Sequence, residues 1–415
     1  MKRSLVTVLV IGFGAAVVAL GLHATGLLRP IERVVNAMVQ NRGSTISLAG
    51  EFWLYFLTCV LSVVVAWLTV SSLQRMKIGL LVAGLAVELL TASWIFALYG
   101  RTFQPLAPIL ATALAFVGAE RWIAFARRSR SQLARTFFAD RLSNRQIRRL
   151  VEGDIPLDVD AKTHEVTVVV CDIANKYDMA EESEPSVFAE ATEKFIRRTT
   201  DLLLEAGGYI QAADGEGVVA VFGFPDGSAD HADKAVRVSL DLADEFRKAR
   251  QDTNGDHFGK CDVHLGVSSG TIIVAPLQNG QRPGLLSIGE PMELARRFCV
   301  ANRFYGSRIL IGPRTFELAS KNIVARPIDF LSGVNSQERH EIYEPLWLAA
   351  EAKPEHIARR DFFWNGVVLY REKRWAEAYT EFQKARAPDH EDDPPLQLYL
   401  RRLETLALHL TTAPE

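Results

Sequence analysis

Long apolar stretches separated by short polar ones fill the beginning of the chain. Three of them, at 4–28, 52–73 and 78–99, are long enough to cross the hydrocarbon core of a bilayer as helices. A fourth begins near Pro105 and is interrupted further on by a pair of charged residues. This pattern predicts an all-α membrane region over residues 1–126 with about four transmembrane helices.

The placement of lysine and arginine predicts how these helices lie in the membrane. Lys2 and Arg3 precede the first stretch, so a cleaved signal peptide is the alternative to a retained anchor. The stretch is too long for a signal h-region and has no clear small-x-small cleavage site, which favours the anchor. Basic residues cluster between the second and third stretches and after the fourth. They predict a multi-pass protein of the inner (plasma) membrane with both termini, and the domain that follows, in the cytoplasm.

One acid, Glu88, lies near the middle of the third stretch. An intramembrane carboxyl is by default a functional candidate. The alternative is a protonated side chain that hydrogen-bonds another helix and helps the helices to assemble. No second charged residue lies in the middle of a stretch to form a relay with Glu88. We therefore favour the assembly role, and we interpret the region as an anchor and dimerisation element.

Residues 127–162 form a charged linker with apolar positions mostly three to five residues apart. This spacing predicts one amphipathic helix or two short ones. Two interpretations stay open at this point. The helix packs on its own domain, or it pairs with the same helix of a second copy and transmits events from the membrane.

The pattern changes again after the linker, over residues 163–347. A β-branched run, EVTVVVCDI, ends near Asp172, and glycine-bearing turns then separate further strands from two amphipathic helices. The order is strand, helix, strand, strand, helix, strand, which is typical of the split βαβ arrangement of ferredoxin-like sheets. The predicted class is therefore α+β, behind an all-α transmembrane region.

Composition and charge narrow the functional classes. Hydrophobic residues make up 48% of the chain and charged residues 23%, which excludes a disordered protein. The net charge of -2 gives no sign of nucleic-acid binding. The four cysteines form no CxxC pair and have no second ligand pair at a zinc-site spacing. We therefore expect buried thiols rather than disulfides or a zinc site.

Five segments of the α+β region resemble the catalytic domain of class III adenylate and guanylate cyclases. They are VTVVVCDI, GGYIQAADGEGVVAVFGFP, DHADKAVRVSLDL, LGVSSGTIIVAPL and SIGEPMELARRF, in the family's order and spacing. The resemblance implies that ATP or GTP binds between two domains of a head-to-tail homodimer. It also implies two divalent metal ions, Mg²⁺ or Mn²⁺, and conversion of the nucleotide to a cyclic nucleotide and pyrophosphate.

The resemblance assigns the metal and phosphate positions residue by residue. Asp172 stands where the family has its first metal carboxylate, and the backbone at Ile173 and Ala174 would approach the triphosphate. The second metal position, an aspartate in the family, is Glu216 in this chain. Its extra methylene displaces the carboxylate oxygens by about 1 Å, a shift that can cost orders of magnitude in rate. Asp214, two residues earlier, is a weak candidate to compensate.

Other family positions are also substituted. Ala212 stands at the adenine-reading lysine position and Leu286 at the position of its acidic or threonine partner. Glu293 replaces the transition-state asparagine, and Arg297 keeps the transition-state arginine. The phosphate-binding lysine falls near Ser332. Lys176 and Tyr177 replace a Phe-Thr-type pair after the first aspartate. The acid at Glu293 would repel a triphosphate bound nearby.

Two functions therefore remain open. One is a membrane-anchored homodimeric cyclase with a degenerate site, and the other is a catalytically inactive cyclase-like module that binds nucleotide or a protein partner.

Residues 355–412 predict a short helical tail. Two helical patterns there resemble one tetratricopeptide-type hairpin, followed by a further helix. Because one such unit cannot bury its own faces, it must dock somewhere. It either caps the cyclase-like domain or recruits a protein partner; a membrane scaffold acting through this tail is a third, less supported function.

Overall fold

A computed structural model describes residues 2–39, 46–47, 51–71, 75–99, 101–155, 160–251, 261–279, 282–334, 338–387 and 393–412. The chain divides into two compact units, Met1–Arg130 and Ser131–Glu415. The predicted fold class is confirmed. Apolar helices form the first unit, and a mixed sheet with helices forms the second.

Within the described residues, the first unit contains five helices and two very short strands. In chain order they are α1 (Lys2–Ala24), α2 (Arg29–Val39), β1 (Ile46–Ser47), α3 (Glu51–Ser71), α4 (Arg75–Leu98), β2 (Arg101–Thr102) and α5 (Leu106–Phe138), the last of which extends past Arg130. Four of these helices, α1, α3, α4 and α5, contain segments long and apolar enough to cross a membrane. Helix α5 turns alanines inward every four residues, at Ala107, Ala111, Ala115 and Ala119, all fully buried. Small residues at this spacing let helices approach closely in a bilayer.

In the part of the second unit that the structure describes, the strands form one eight-stranded sheet. Its elements up to the end of the sheet are α6 (Asn144–Glu152), β3 (Lys162–Ile173), α7 (Lys176–Glu182), α8 (Pro185–Glu205), β4 (Tyr209–Asp214), β5 (Gly217–Phe222), α9 (His231–Gln251), β6 (Val263–Asn279), β7 (Arg282–Ile288), α10 (Glu290–Tyr305), β8 (Ile309–Ile311), α11 (Pro313–Ala319), β9 (Ile323–Ser332) and β10 (Arg339–Leu348). The order across the sheet is β4-β5-β3-β6-β8-β10-β9, and β7 pairs with β6 beside this path.

Strand β3 is covered on both faces. Because side chains alternate along a strand, Val169 and Cys171 enter one core while Val168 and Val170 enter another. This explains why the strand is a continuous apolar run rather than an alternating pattern. The run ends at Asp172, where the carboxylate reaches the edge of the buried region.

The contacts of helix α6 support the first of the two interpretations of the linker, packing on its own domain. Ser143 and Gln146 form a capping box at its start, and Leu150 on the same helix is fully buried. Leu150 belongs to the core that contains Val168 and Val170. The linker helix therefore packs on its own domain, and its pairing with a second copy stays a prediction.

Three further helices form the tail, α12 (Pro354–Arg371), α13 (Trp375–Lys384) and α14 (Pro394–Thr412). Phe363 of α12 and Tyr399 of α14 share a core with Phe298 of α10. At the end of α10, Gly306 has φ +72, and a Cβ there would lie 2.4 Å from Pro394 Cβ, so glycine allows the tail to approach. Docking as a cap is thus what the contacts of the tail support.

Arg326 joins the tail to the sheet through a buried ion-pair network. Its guanidinium donates to both carboxylate oxygens of Asp393 at 2.7 Å and, through Nε, to Glu344 at 2.8 Å. It also lies over the ring of Phe363, 4.4 Å from the centroid. Burial opposes ionisation of Asp393, but the adjacent Arg326 charge outweighs it and lowers the pKa of that carboxyl.

We expect Arg326→Met to release the tail. Removing the guanidinium leaves two carboxylates unpaired in a buried site, which costs about 3 kcal/mol. Full-length protein in detergent should therefore lose its tail to limited proteolysis at a lower urea concentration than the wild type. Arg374→Met removes an exposed tail arginine paired with Glu377 and should leave the midpoint unchanged. Equal midpoints for Arg326→Met and the wild type would show that the network does not hold the tail.

Candidate active site

The end of β3 and the β4–β5 hairpin meet because of one glycine. Gly217 has φ +105, and a Cβ there would lie 2.3 Å from the carbonyl oxygen of Cys171. Only glycine permits this backbone angle together with this approach. The hairpin turn therefore carries Glu216 over the end of β3, beside Asp172.

Lys176 lies between the two carboxylates. Its Nζ is 2.9 Å from Asp172 Oδ2 and 3.6 Å from Glu216 Oε2. The Lys176 side chain is 14% exposed, whereas that of Glu216 is 84% exposed. Asp172 and Glu216 thus face one position, and the structure places an ammonium group there.

The electrostatics follow from this arrangement. Burial raises the pKa of Asp172, and the hydrogen bond and charge of Lys176 only partly offset the effect. Burial alone would lower the pKa of Lys176, but the hydrogen bond that it donates to Asp172 and the two negative charges outweigh this effect and raise that pKa. The lysine is therefore a fixed positive charge at neutral pH.

The resemblance to cyclases implies divalent metal ions, and the two carboxylates are the groups that would hold them. Two carboxylates converging on one point fit a single cation. With Lys176 in that position they do not fit two divalent ions, each of which needs oxygen ligands at about 2.0–2.2 Å. Asp214 adds little, since it is exposed and its Oδ1 accepts the N–H of Glu216 at 2.9 Å.

The backbone groups predicted to cradle phosphate already have partners. The N–H of Ile173 donates to Asp172 Oδ1 at 2.8 Å, and that of Ala174 donates to the carbonyl of Asp262 at 2.9 Å. Binding of a triphosphate at Ile173 would have to exchange a bond to Asp172 for one to a phosphate oxygen.

The two predicted base-reading positions lie on strands that hydrogen bonds of the Gln211 side chain connect. Ala212 of β4 is partly buried opposite Val219, and Leu286 of β7 is 38% exposed opposite Ala275. Between them, Ser287 Oγ donates to Gln211 Oε1 at 2.9 Å. The polar Gln211–Ser287 pair was not predicted from the sequence. Gln211 lies at a register shift of β4, between Ile210 and Ala212.

Arg297 and Glu293 pair with each other on α10. Arg297 Nε donates to Glu293 Oε1 at 3.0 Å, one helical turn away. Arg297 Nη1 also donates to the carbonyl of Gly333 at 2.6 Å and to that of Ser332 at 3.5 Å. The arginine predicted for the transition state is thus held by its own chain, and the Ser332 position contributes a carbonyl oxygen rather than a cation.

Part of the chain is similar to known proteins. Residues 159–300 match the adenylate and guanylate cyclase catalytic domain family. An adenylate cyclase of Anabaena cylindrica is 27% identical over 152 residues, covering 36% of this chain and 30% of that protein. An uncharacterised protein of Mycobacterium tuberculosis is 24% identical over 182 residues, covering 44% of this chain and 30% of that protein. Residues 159–300 are therefore a domain similar to the adenylate and guanylate cyclase catalytic domains.

The matched relatives extend well beyond the shared region, since the chain spans about 30% of the length of these curated proteins. Among solved structures, the adenylyl cyclase CyaB from P. aeruginosa is 20% identical with a TM-score of 0.41, over 47% of this chain and 100% of that one.

Proposed function

We propose that the chain is a membrane-anchored class III cyclase homologue of intracellular signalling, which converts ATP or GTP slowly to a cyclic nucleotide and pyrophosphate through a degenerate site. The observation that carries the proposal is the convergence of Asp172 and Glu216 on one cation position at the end of β3. Two carboxylates that converge on one position suit a single counter-ion of a triphosphate.

A second candidate function is a cyclase-like module that binds nucleotide or a protein partner without turnover. Two observations favour it. Lys176 occupies the cation position, and Arg297 is engaged by Glu293 and by the carbonyl of Gly333. A charged group that already has partners must exchange them before it can stabilise a developing charge.

A cyclase assay on the full-length protein in detergent separates the two functions. ATP and GTP are each supplied with Mg²⁺ and with Mn²⁺, and cyclic nucleotide is measured. Slow product formation, faster with Mn²⁺ than with Mg²⁺, supports the first function, because Mn²⁺ coordination is more permissive. Nucleotide binding without product supports the second.

The domain acts as a head-to-tail homodimer under this proposal, in which Asp172 of one copy and Arg297 of the other belong to one nucleotide site. The β6–β7 hairpin exposes large apolar side chains, namely Ile273, Leu277, Leu286 and Ile288. Such a surface suits burial against a second copy. We expect detergent-solubilised protein to be dimeric in sedimentation, and a strict monomer at micromolar concentration with full nucleotide binding would contradict the expectation.

The membrane region would anchor this dimer with both termini cytoplasmic. Glu88 is exposed on α4 of the single chain, which supports its role in assembly with another helix. We expect that a reporter that works only in the cytoplasm is active when it is fused after Glu415. If a reporter that works only outside the cytoplasmic membrane is active there instead, the predicted topology is wrong.

A further inference from the structure

Lys176 is held in the carboxylate pair by the backbone on both sides of it. Just before it, the Ala174 N–H donates to the Asp262 carbonyl, and Asn175 Oδ1 accepts the Asp262 N–H at 3.0 Å. Helix α7 then begins at Lys176 itself. The lysine and Asp172 are four residues apart across a strand end, so their 2.9 Å contact depends on this fixed turn.

The hairpin supplies the other half of the arrangement. The close approach of Gly217 to Cys171 fixes the turn that carries Glu216. The second carboxylate therefore comes to the ammonium from a separate element of the sheet. Three charged groups from β3, α7 and the β4–β5 turn meet at one point, and their charges add to -1.

A divalent ion and this ammonium exclude each other. An ion bound to Asp172 and Glu216 would lie within about 2.2 Å of their oxygens, in the volume that Nζ occupies. Like charges at such short range repel strongly where water is partly excluded. Entry of the ion therefore requires the ammonium to leave its short hydrogen bond with Asp172.

We infer that the Lys176 ammonium occupies the position of a divalent metal ion in the nucleotide site. It therefore weakens the binding of divalent ions there. The inference rests on the proposed function, because it assigns the role of a metal position in that same site. It makes Lys176 a positioning residue that sets the metal dependence of this domain.

The test measures Mn²⁺ binding to full-length protein in detergent without nucleotide, from the electron paramagnetic resonance signal of free Mn²⁺. We expect Lys176→Met to bind Mn²⁺ about 10- to 100-fold more tightly than the wild type, since a charge-assisted hydrogen bond no longer has to be broken. Lys176→Arg keeps the cation and should bind Mn²⁺ as weakly as the wild type. Adding Asp172→Asn to Lys176→Met should abolish the gain, which locates it at this site.

Lys194→Met is the matched control, because it removes one lysine from an i,i+4 ion pair with Glu190 on α8. Its Mn²⁺ affinity should equal that of the wild type. Equal affinities for Lys176→Met and the wild type, or an equal gain in Lys194→Met, would overturn the inference. Thermal melting shows whether each variant folds. If Lys176→Met does not fold, Lys176→Gln is measured instead. Because no nucleotide is present, the result is independent of whether the protein makes cyclic nucleotide.

Discussion

Asp172→Ala is expected to reduce cyclic nucleotide formation by the full-length protein at least about 100-fold, to the background of the assay. Asp172 is the partly buried carboxylate of the site, and it fixes both Lys176 and the N–H of Ile173. Its loss leaves only the highly exposed Glu216 to position a cation beside the triphosphate. The measurement is product formed from ATP in the presence of Mn²⁺.

Asp178→Ala provides the control for this prediction. Asp178 lies on α7, six residues after Asp172, and is exposed. Its removal changes the charge equally and should leave turnover unchanged. If Asp172→Ala keeps wild-type turnover, the end of β3 is not the reacting site and the proposed function loses its main support.

Restoring the family residues at four positions is expected to raise turnover of ATP at least about tenfold. The variant combines Ala212→Lys, Glu216→Asp, Leu286→Asp and Glu293→Asn. The first and third changes supply polar contacts to the base on two strands that already lie together. Glu216→Asp corrects the carboxylate reach by about 1 Å, and Glu293→Asn removes the acid that holds Arg297.

A control variant replaces the base-reading changes with Ala212→Met and Leu286→Asn and keeps the other two. It should gain less than the full variant, and its gain should not depend on whether ATP or GTP is supplied. A wild type that already turns over briskly with Mg²⁺, and becomes slower with the four changes, would contradict our description of the site as degenerate.

Much of the fold follows from local patterns in the sequence. The β-branched run of β3 and the glycine turn of the β4–β5 hairpin are readable from neighbouring residues, as is the start of α10 after Gly289. These elements carry Asp172, Glu216 and Arg297 of the predicted site. Their order and spacing were sufficient to identify the cyclase resemblance.

Several contacts in the site and at the tail depend on how elements pack together and were not predictable. Lys176 reaches Asp172 across a strand–helix junction, where helical periodicity gives no guide to the spacing. Arg297 is held by the carbonyl of Gly333, 36 residues away. Arg326 meets Asp393 over a separation of 67 residues. No local pattern encodes such pairs, because the sheet and the docked tail create them only after folding.

The most direct measurement of the central claim is complementation between two variant copies. The claim is that Asp172 of one copy and Arg297 of the other form one nucleotide site. Asp172→Ala and Arg297→Ala proteins are each expected to bind a fluorescent ATP analogue poorly. Random pairing of the two in one cell makes mixed dimers about half of the total, each with one intact site of two. The co-expressed pair should therefore recover about a quarter of the wild-type binding sites, whereas no recovery, or full binding by either variant alone, would contradict the shared site.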